Sequence, residues 1–245
     1  IVGAEALLRW HDPVMGDMNI EELISLAEKT GLIKPLTRWI IRHTLQTSHH
    51  WSTRLHIELP ISVNLSIWDL QDPNFSAYIR KEVERWYRTP RHIEFEITES
   101  AMMSDPERTI TTLGQLASMG HQLSVDDFGT GFSSLAYLKK FPVRSLKIDK
   151  SFIADMDSDN NDQVIVRSTI DLAHGRGLNA IAEGVENESQ LKELSMMGCD
   201  IVQGYHVSRP LPAEEFVEWI HQSRWKMANF QSGKDGHAPD RMTIH

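Results

Sequence analysis

The chain has 245 residues, 40% of them hydrophobic and 24% charged, a composition typical of a globular domain with a substantial core. Its 34 acidic residues outnumber 25 basic ones and give a net charge of -9, which argues against non-specific binding to nucleic-acid polymers. A single cysteine, Cys199, excludes an internal disulfide and a cysteine zinc cluster.

Both ends of the chain carry sequence signals. It begins Ile1-Val2-Gly3 inside an apolar run, without an initiator methionine, so we expect a larger protein with a sensory or regulatory domain at its N-terminal side. No apolar run is long enough to span a membrane, which predicts a cytoplasmic location. A membrane anchor, if the full-length protein has one, would then belong to that N-terminal region. The last residues, 231–245, lack an amphipathic pattern and are predicted to be a disordered tail, leaving a domain of residues 1–230.

Short apolar runs alternate with longer amphipathic ones, which is typical of βα units and a parallel sheet. The predicted strands are Val2–Leu8, Ile61–Leu65, His92–Ile97, Gln122–Val125, Ser145–Ile148, Leu178–Ala182 and Ile201–Val202. The predicted helices are Ile20–Thr30, Lys34–Trp51, Phe75–Tyr87, Pro106–Met119, Ser133–Lys140, Asp162–Arg176, Glu188–Met197 and Pro212–Trp225. Gly31, Gly120 and Gly198 each follow a predicted helix and are predicted left-handed C-caps.

Seven strands in βα order predict an α/β fold, a TIM-like (β/α)8 barrel whose first strand is missing from the chain. The alternative is an open, doubly wound sheet. That fold would carry a glycine-rich turn after an early strand, and the sequence contains none there.

In such a barrel the active site lies at the carboxyl ends of the strands, and every predicted strand brings a polar residue to that rim. These residues are Glu5, Asn64, Glu96, Glu99, Asp126, Asp127, Lys147, Asp149, Glu183 and Gln203. A single acid at a strand end is usually a cap or a surface charge. Several converging carboxylates are different, because they cannot all ionise together without cations. Oxygen ligands of this kind suit Mg²⁺ or Mn²⁺, and the adjacent Asp126 and Asp127 suit a pair of ions.

Lys147 interrupts the apolar strand Ser145–Ile148. It could pack its stem and extend its head to water, but beside several carboxylates a role in orienting or deprotonating an attacking water is the favoured interpretation. The loop from Asp127 to Leu135 contains two glycines and several hydroxyls, and we expect it to move with metal binding. The histidines, including His49 and His50, are interpreted as surface or capping residues.

Several motifs occur in order along the chain and together resemble the EAL-domain family. They are Glu5-Ala6-Leu7, Ser62-Val63-Asn64-Leu65-Ser66, Glu96-Ile97-Thr98-Glu99-Ser100, the loop 126–135, Leu146-Lys147-Ile148-Asp149, Ala182-Glu183-Gly184-Val185-Glu186 and Gln203-Gly204-Tyr205. The resemblance implies a barrel that hydrolyses cyclic di-GMP to linear pGpG with two Mg²⁺ or Mn²⁺ ions.

The resemblance also implies a role for each matching residue. The metal ligands would be Glu5, Asn64, Glu96, Asp126, Asp127 and Glu183. Lys147, Glu183 and Glu5 would be catalytic, and Glu99 would tether the loop that follows Asp127. Substrate would contact Arg9, Leu7, Gln203 and Asp149. The family further suggests a homodimer.

Two other functions remain open. Relatives that lack one or more of the ligands act only as cyclic di-GMP receptors, but no member of the set is missing here, which favours an active enzyme. An unrelated barrel lyase or isomerase with a lysine base is disfavoured by the motifs.

Overall fold

The fold was determined as a computed structural model that describes residues 1–14, 16–86, 90–131, 135–157, 159–227 and 243–244. The chain forms two compact units. The N-terminal unit contains residues 4–97 and 101–122, and the C-terminal unit contains residues 1–3, 98–100 and 123–245.

The strands are short and most of them lie in parallel ladders. They are β1 (Ala4–Glu5), β2 (His11–Asp12), β3 (Gly16–Asp17), β4 (Ile61–Leu65), β5 (Ile93–Thr98), β6 (Leu123–Phe128), β7 (Ser145–Ile148), β8 (Asn179–Ala182), β9 (Ile201–Val202) and β10 (Thr243–Ile244). The helices are α1 (Ile20–Thr30), α2 (Ile33–His50), α3 (Ile67–Leu70), α4 (Phe75–Trp86), α5 (Glu99–Ser104), α6 (Pro106–Ser118), α7 (Leu135–Leu138), α8 (Lys150–Ala154), α9 (Asn160–Gly175), α10 (Glu188–Met197) and α11 (Ala213–Gln222). A π-helical turn covers Trp51–Leu55 and a 3₁₀ turn covers Pro90–His92.

In the N-terminal unit, β1, β4 and β5 form consecutive parallel pairs, while β2 and β3 form a small antiparallel ribbon. Alternate side chains of a strand point to opposite faces, so Ile93, Phe95 and Ile97 share one face of β5 and are fully buried. Phe95 meets Phe75 of α4 edge-on, with ring centroids 6.4 Å apart. The opposite face of β5 carries Glu94 and Glu96.

In the C-terminal unit, β6, β7, β8, β9 and β10 pair in that order, all parallel. All seven predicted strands are present, but the first is two residues long, Ala4–Glu5, and not the predicted Val2–Leu8. Of the tail predicted to be disordered, the structure describes only residues 243–244, which form β10 beside β9; the disorder of the rest of the tail stays a prediction.

Helix boundaries follow local capping chemistry. Asn19 caps α1 by accepting hydrogen bonds from two backbone N–H groups, and Gly31 ends the helix with φ = 75°. Gly198 ends α10 in the same way, with φ = 81°, and Gly120 follows α6 with φ = 95°. The left-handed conformation predicted for these three glycines is confirmed.

Three short helices directly after strands escaped prediction, namely α3, α5 and α8. Each is too short to show an amphipathic period, but two of them have capping signals. In α3, Ser66 and Asp69 form a capping box, and buried Asp69 also accepts a hydrogen bond from Thr37 Oγ1 at 2.9 Å. In α8, the side chain of Asp149 caps the helix by accepting from Ser151 N. Within the described ranges, every helix is too short or too polar to cross a bilayer.

Glu94, which is half-buried on β5, predicts a pH-dependent stability. Burial raises the pKa of its carboxyl from 4.5 to about 7, so ionising it costs free energy in the folded state. That cost is absent below pH 4.5 and complete above about pH 7. We therefore expect Glu94→Gln to raise the free energy of unfolding by about 2 kcal/mol near pH 8 and to change it little near pH 4.5, as measured by urea denaturation. An equal difference between variant and wild type at the two pH values would contradict this.

Candidate active site

A buried lysine lies between two carboxylates in the C-terminal unit. Lys147 is on β7, and its side chain is 1% exposed. Its Nζ lies 2.6 Å from Glu183 Oε1 and 3.4 Å from Asp126 Oδ1. Glu183 directly follows β8, and its backbone N–H donates to the carbonyl of Ile148 at the end of β7. The ammonium group is therefore held by the sheet and compensates two negative charges away from water.

The backbone of β6 is irregular at the pair Asp126-Asp127. Its register against β7 shifts between Val125 and Phe128, and Asp127 has φ = 52°. A left-handed conformation costs a non-glycine residue roughly 1–2 kcal/mol. In a regular strand, two consecutive side chains point to opposite faces. The irregularity removes this restriction, and carboxylate oxygens of Asp126, Asp127 and Glu183 all lie within 4.8 Å of one another.

The electrostatics of Asp127 reflect this crowding. Partial burial raises the pKa of its carboxyl to about 6, with further contributions from the negative charges of Asp126 and Asp149. Lys147 opposes these effects and lowers the pKa. The site thus holds more negative charge than its one ammonium group neutralises.

The three clustered carboxylates fit a divalent cation. They supply only oxygen donors, which hard cations prefer, and they include no thiolate or imidazole. A bound cation would also remove the repulsion that raises the pKa of Asp127. The arrangement is therefore chemically suited to metal binding.

Glu99 contacts the loop that follows Asp127. Its Oε2 accepts a hydrogen bond from the backbone N–H of Gly129 at 2.9 Å, and the side chain is 2% exposed. Gly131 also lies against this carboxylate, because a Cβ at that position would come within 3.0 Å of Glu99 Oε1. Residues 132–134, which complete the predicted loop, lie outside the described residues. The role of Glu99 as a tether stays a prediction.

Gln203 directly follows β9. The backbone around it approaches its neighbours so closely at Gly184 and Gly204 that only glycine fits at these two positions. The N–H of Gln203 donates to Ala182 and its carbonyl accepts from Val185, at 2.8 and 3.0 Å. A Cβ on Gly204 would come 2.2 Å from the Val185 carbonyl oxygen, and one on Gly184 would come 2.5 Å from Lys150 Cβ. These close approaches hold the segments after β8 and β9 in place.

The remaining predicted ligands lie in the N-terminal unit. Asn64 of β4 donates from Nδ2 to Glu5 Oε1 of β1 at 2.8 Å, and the amide oxygen of Asn64 takes no part in this hydrogen bond. Glu96 pairs in register with Asn64 on the neighbouring strand β5 and is 2% exposed. Arg9 donates to the Leu8 carbonyl, and Leu7 is 43% exposed. Glu5, Asn64 and Glu96 therefore come from three adjacent strands.

Sequence reasoning missed two features. The left-handed backbone at Asp127 leaves no trace in residue type, since aspartate is found in many other conformations. Glu94 could have been found, because it alternates with Glu96 along β5 and must share its face.

A model of the EAL domain family matches residues 1–210 of the chain. The chain belongs to the EAL domain family. Among curated relatives, the bifunctional diguanylate cyclase/cyclic di-GMP phosphodiesterase MucR of Pseudomonas aeruginosa is 38% identical over 217 residues, covering 89% of this chain and 32% of MucR. The cyclic di-GMP phosphodiesterase NbdA of the same species is 37% identical over 224 residues, covering 91% of this chain and 29% of NbdA. The chain thus spans about a third of the length of these relatives.

Solved structures of EAL domains share the fold. The MucR phosphodiesterase in complex with cyclic di-GMP superposes with a TM-score of 0.84 at 38% identity, covering 88% of this chain and 87% of that one. The FimX EAL domain of Pseudomonas aeruginosa, bound to cyclic di-GMP, gives 0.77 at 26% identity, covering 84% and 82%. The predicted α/β, TIM-like barrel class is confirmed by this EAL-domain likeness.

The charge balance at Lys147 can be tested in the metal-free EAL domain. Lys147→Met keeps the length of the side chain but leaves Asp126 and Glu183 without their shared cation. We expect it to lower the stability by about 3 kcal/mol at neutral pH and the Tm by about 10 °C.

Thermal unfolding followed by circular dichroism measures the effect, with Lys139→Met as the matched control because Lys139 is exposed. Equal Tm values for Lys147→Met, Lys139→Met and the wild type would rule out the structural role of the buried pair.

Proposed function

We propose that this EAL domain hydrolyses cyclic di-GMP to linear pGpG with Mg²⁺ or Mn²⁺. The observation that carries the proposal is the cluster of Asp126, Asp127 and Glu183 around the buried Lys147, formed from residues that the family motifs predict. The relatives named as cyclic di-GMP phosphodiesterases and the solved EAL structures that contain the dinucleotide support it.

In the proposal, two divalent cations are held by Glu5, Asn64, Glu96, Asp126, Asp127 and Glu183. The grouping of Glu5, Asn64 and Glu96 with the aspartates rests on the family resemblance. Such cations would polarise the phosphodiester and increase the acidity of the attacking water. They would also offset the negative charge of an acidic domain that must receive an anionic substrate.

Lys147 and Glu183 manage the proton of the attacking water. Because Nζ of Lys147 is 2.6 Å from Glu183 Oε1, a proton can pass between the two groups without rearrangement. The buried ammonium also offsets the negative charge of the Glu183 carboxylate. We assign Arg9 to the phosphate of the substrate, and Leu7, Gln203 and Asp149 to contacts with the rest of it. The homodimer stays a prediction.

Incubation of the purified protein with cyclic di-GMP and Mg²⁺, with pGpG followed by chromatography, tests the function. We expect turnover in the wild type and a loss of about a hundredfold or more in Glu5→Ala, since removing even a group that only supports a metal ligand costs about 10–100-fold. Glu84→Ala removes an exposed carboxylate of α4 and should retain full activity. Binding of cyclic di-GMP without turnover in the wild type would make the domain a receptor, and unchanged activity in Glu5→Ala would refute the metal assignment.

Glu99 is proposed as a positioning residue that couples the loop after Asp127 to the acidic cluster. Glu99→Ala removes the acceptor for Gly129 N–H, and we expect kcat to fall at least about tenfold, the size of a lost charge-assisted hydrogen bond. Glu99→Gln retains an acceptor oxygen and should recover part of the activity.

Circular dichroism spectra of both Glu99 variants should match the wild type. A Glu99→Ala protein with the wild-type kcat would show that the contact has no role in turnover.

A further inference from the structure

The N-terminal unit contains a cavity of about 560 Å³, wide open to solvent, that the phosphodiesterase mechanism does not use. It lies where α2 and α4 end, and it is lined by Gln46, His49, His50, Thr53, Arg54 and Trp86. Because α2 leads into β4 and α4 leads into β5, the cavity is at the amino ends of these strands. Asn64 and Glu96 lie toward the opposite ends.

The charge of this cavity is opposite to that of the chain as a whole. None of the described side chains that line it is acidic, although the chain carries a net charge of -9. Among the described residues, no carboxylate pairs with the guanidinium of Arg54 or the imidazole of His50. These cationic and donor groups are thus available to a ligand.

An irregular backbone forms one wall. The chain leaves α2 through the π-helical turn Trp51–Leu55, and His56 closes the turn with φ = 55°. Both features cost stability relative to a regular helix end, and π-turns frequently mark functional sites. Here the turn carries Thr53 and Arg54 into the cavity lining.

A buried donor forms part of another wall. The indole N–H of Trp86 has no hydrogen-bond partner among the described residues, while the ring of His49 packs against the indole at a centroid distance of 5.8 Å. A buried donor without a partner destabilises the fold. Because this nitrogen has almost no accessible surface, a ligand in the cavity would change its surroundings without bonding to it directly.

We propose that this cavity binds the phosphate monoester group of a small molecule. The guanidinium fork of Arg54, the imidazole of His50 and the amide of Gln46 together offer more donors than the two oxygens of a carboxylate use. A phosphate monoester presents three acceptor oxygens and up to two negative charges. The volume exceeds that of inorganic phosphate and falls in the range of small-molecule sites, so it also accommodates an organic group.

The test uses the indole N–H signal of Trp86 in NMR spectra of the whole chain, identified among the seven tryptophans by its absence in Trp86→Phe. Inorganic phosphate and glycerol 3-phosphate are titrated without divalent cations, so that the acidic cluster contributes no metal-dependent binding. Vesicles of phosphatidylcholine with phosphatidic acid, compared with phosphatidylcholine alone, present the same group on a lipid.

We expect a saturable shift of the Trp86 signal with the phosphate-bearing probes and about tenfold weaker binding in Arg54→Gln. Arg80→Gln, on the exposed surface of α4, should bind like the wild type. A response to glycerol 3-phosphate identifies a soluble source of the phosphate, and a response to phosphatidic acid vesicles alone identifies a lipid headgroup. No saturable shift with any probe, or equal effects of Arg54→Gln and Arg80→Gln, would overturn the proposal. Either result is independent of whether the domain hydrolyses cyclic di-GMP.

Discussion

The buried ammonium of Lys147 is the charge on which the acidic cluster of this domain depends. It contacts both Asp126 and Glu183, and without it these two largely buried carboxylates would lack a compensating charge. It does not neutralise the whole cluster, since the pKa of Asp127 remains raised to about 6. The domain therefore folds with a residual negative charge, which a bound divalent cation would stabilise. Such binding would link folding and metal affinity through the same few oxygens.

The acidic cluster also depends on backbone conformations that most residues adopt only at a cost in free energy. Asp127 adopts a left-handed conformation at the end of β6, and its neighbour Gly129 donates to Glu99. Gly184 and Gly204 approach their neighbours so closely that no side chain fits. The parallel ladders of β6 to β9 hold these irregular segments in place, so the stability of the sheet offsets local strain at the strand ends. Such rigidity positions carboxylates more accurately than long exposed loops would.

In the N-terminal unit, the side chains at one end of the strands are acidic and those near the other end are basic. Glu5, Asn64 and Glu96 make one end acidic and polar, whereas Arg54 and His50 make the cavity near the other end basic. An anionic ligand needs a bound cation at the acidic end but none at the basic one. In the two proposals, phosphate chemistry is therefore recognised at the two ends by different physical means.

Much of this fold could be predicted from the sequence, because short apolar runs indicate the strands of a barrel. The candidate ligand residues could be predicted from their motifs. The seven strand positions, the class of fold and the residues Asp126, Lys147 and Glu183 were all accessible in this way. The short helices α3, α5 and α8 were not, since four to six residues show no period. Nor was the left-handed conformation of Asp127, which depends on the register of β6 against β7. The sequence determined which carboxylates and which ammonium group were available. Only the tertiary structure decided that Asp126 and Asp127 bring their carboxylates together and that Lys147 is buried between Asp126 and Glu183. Both arrangements depend on contacts between strands that are distant along the chain.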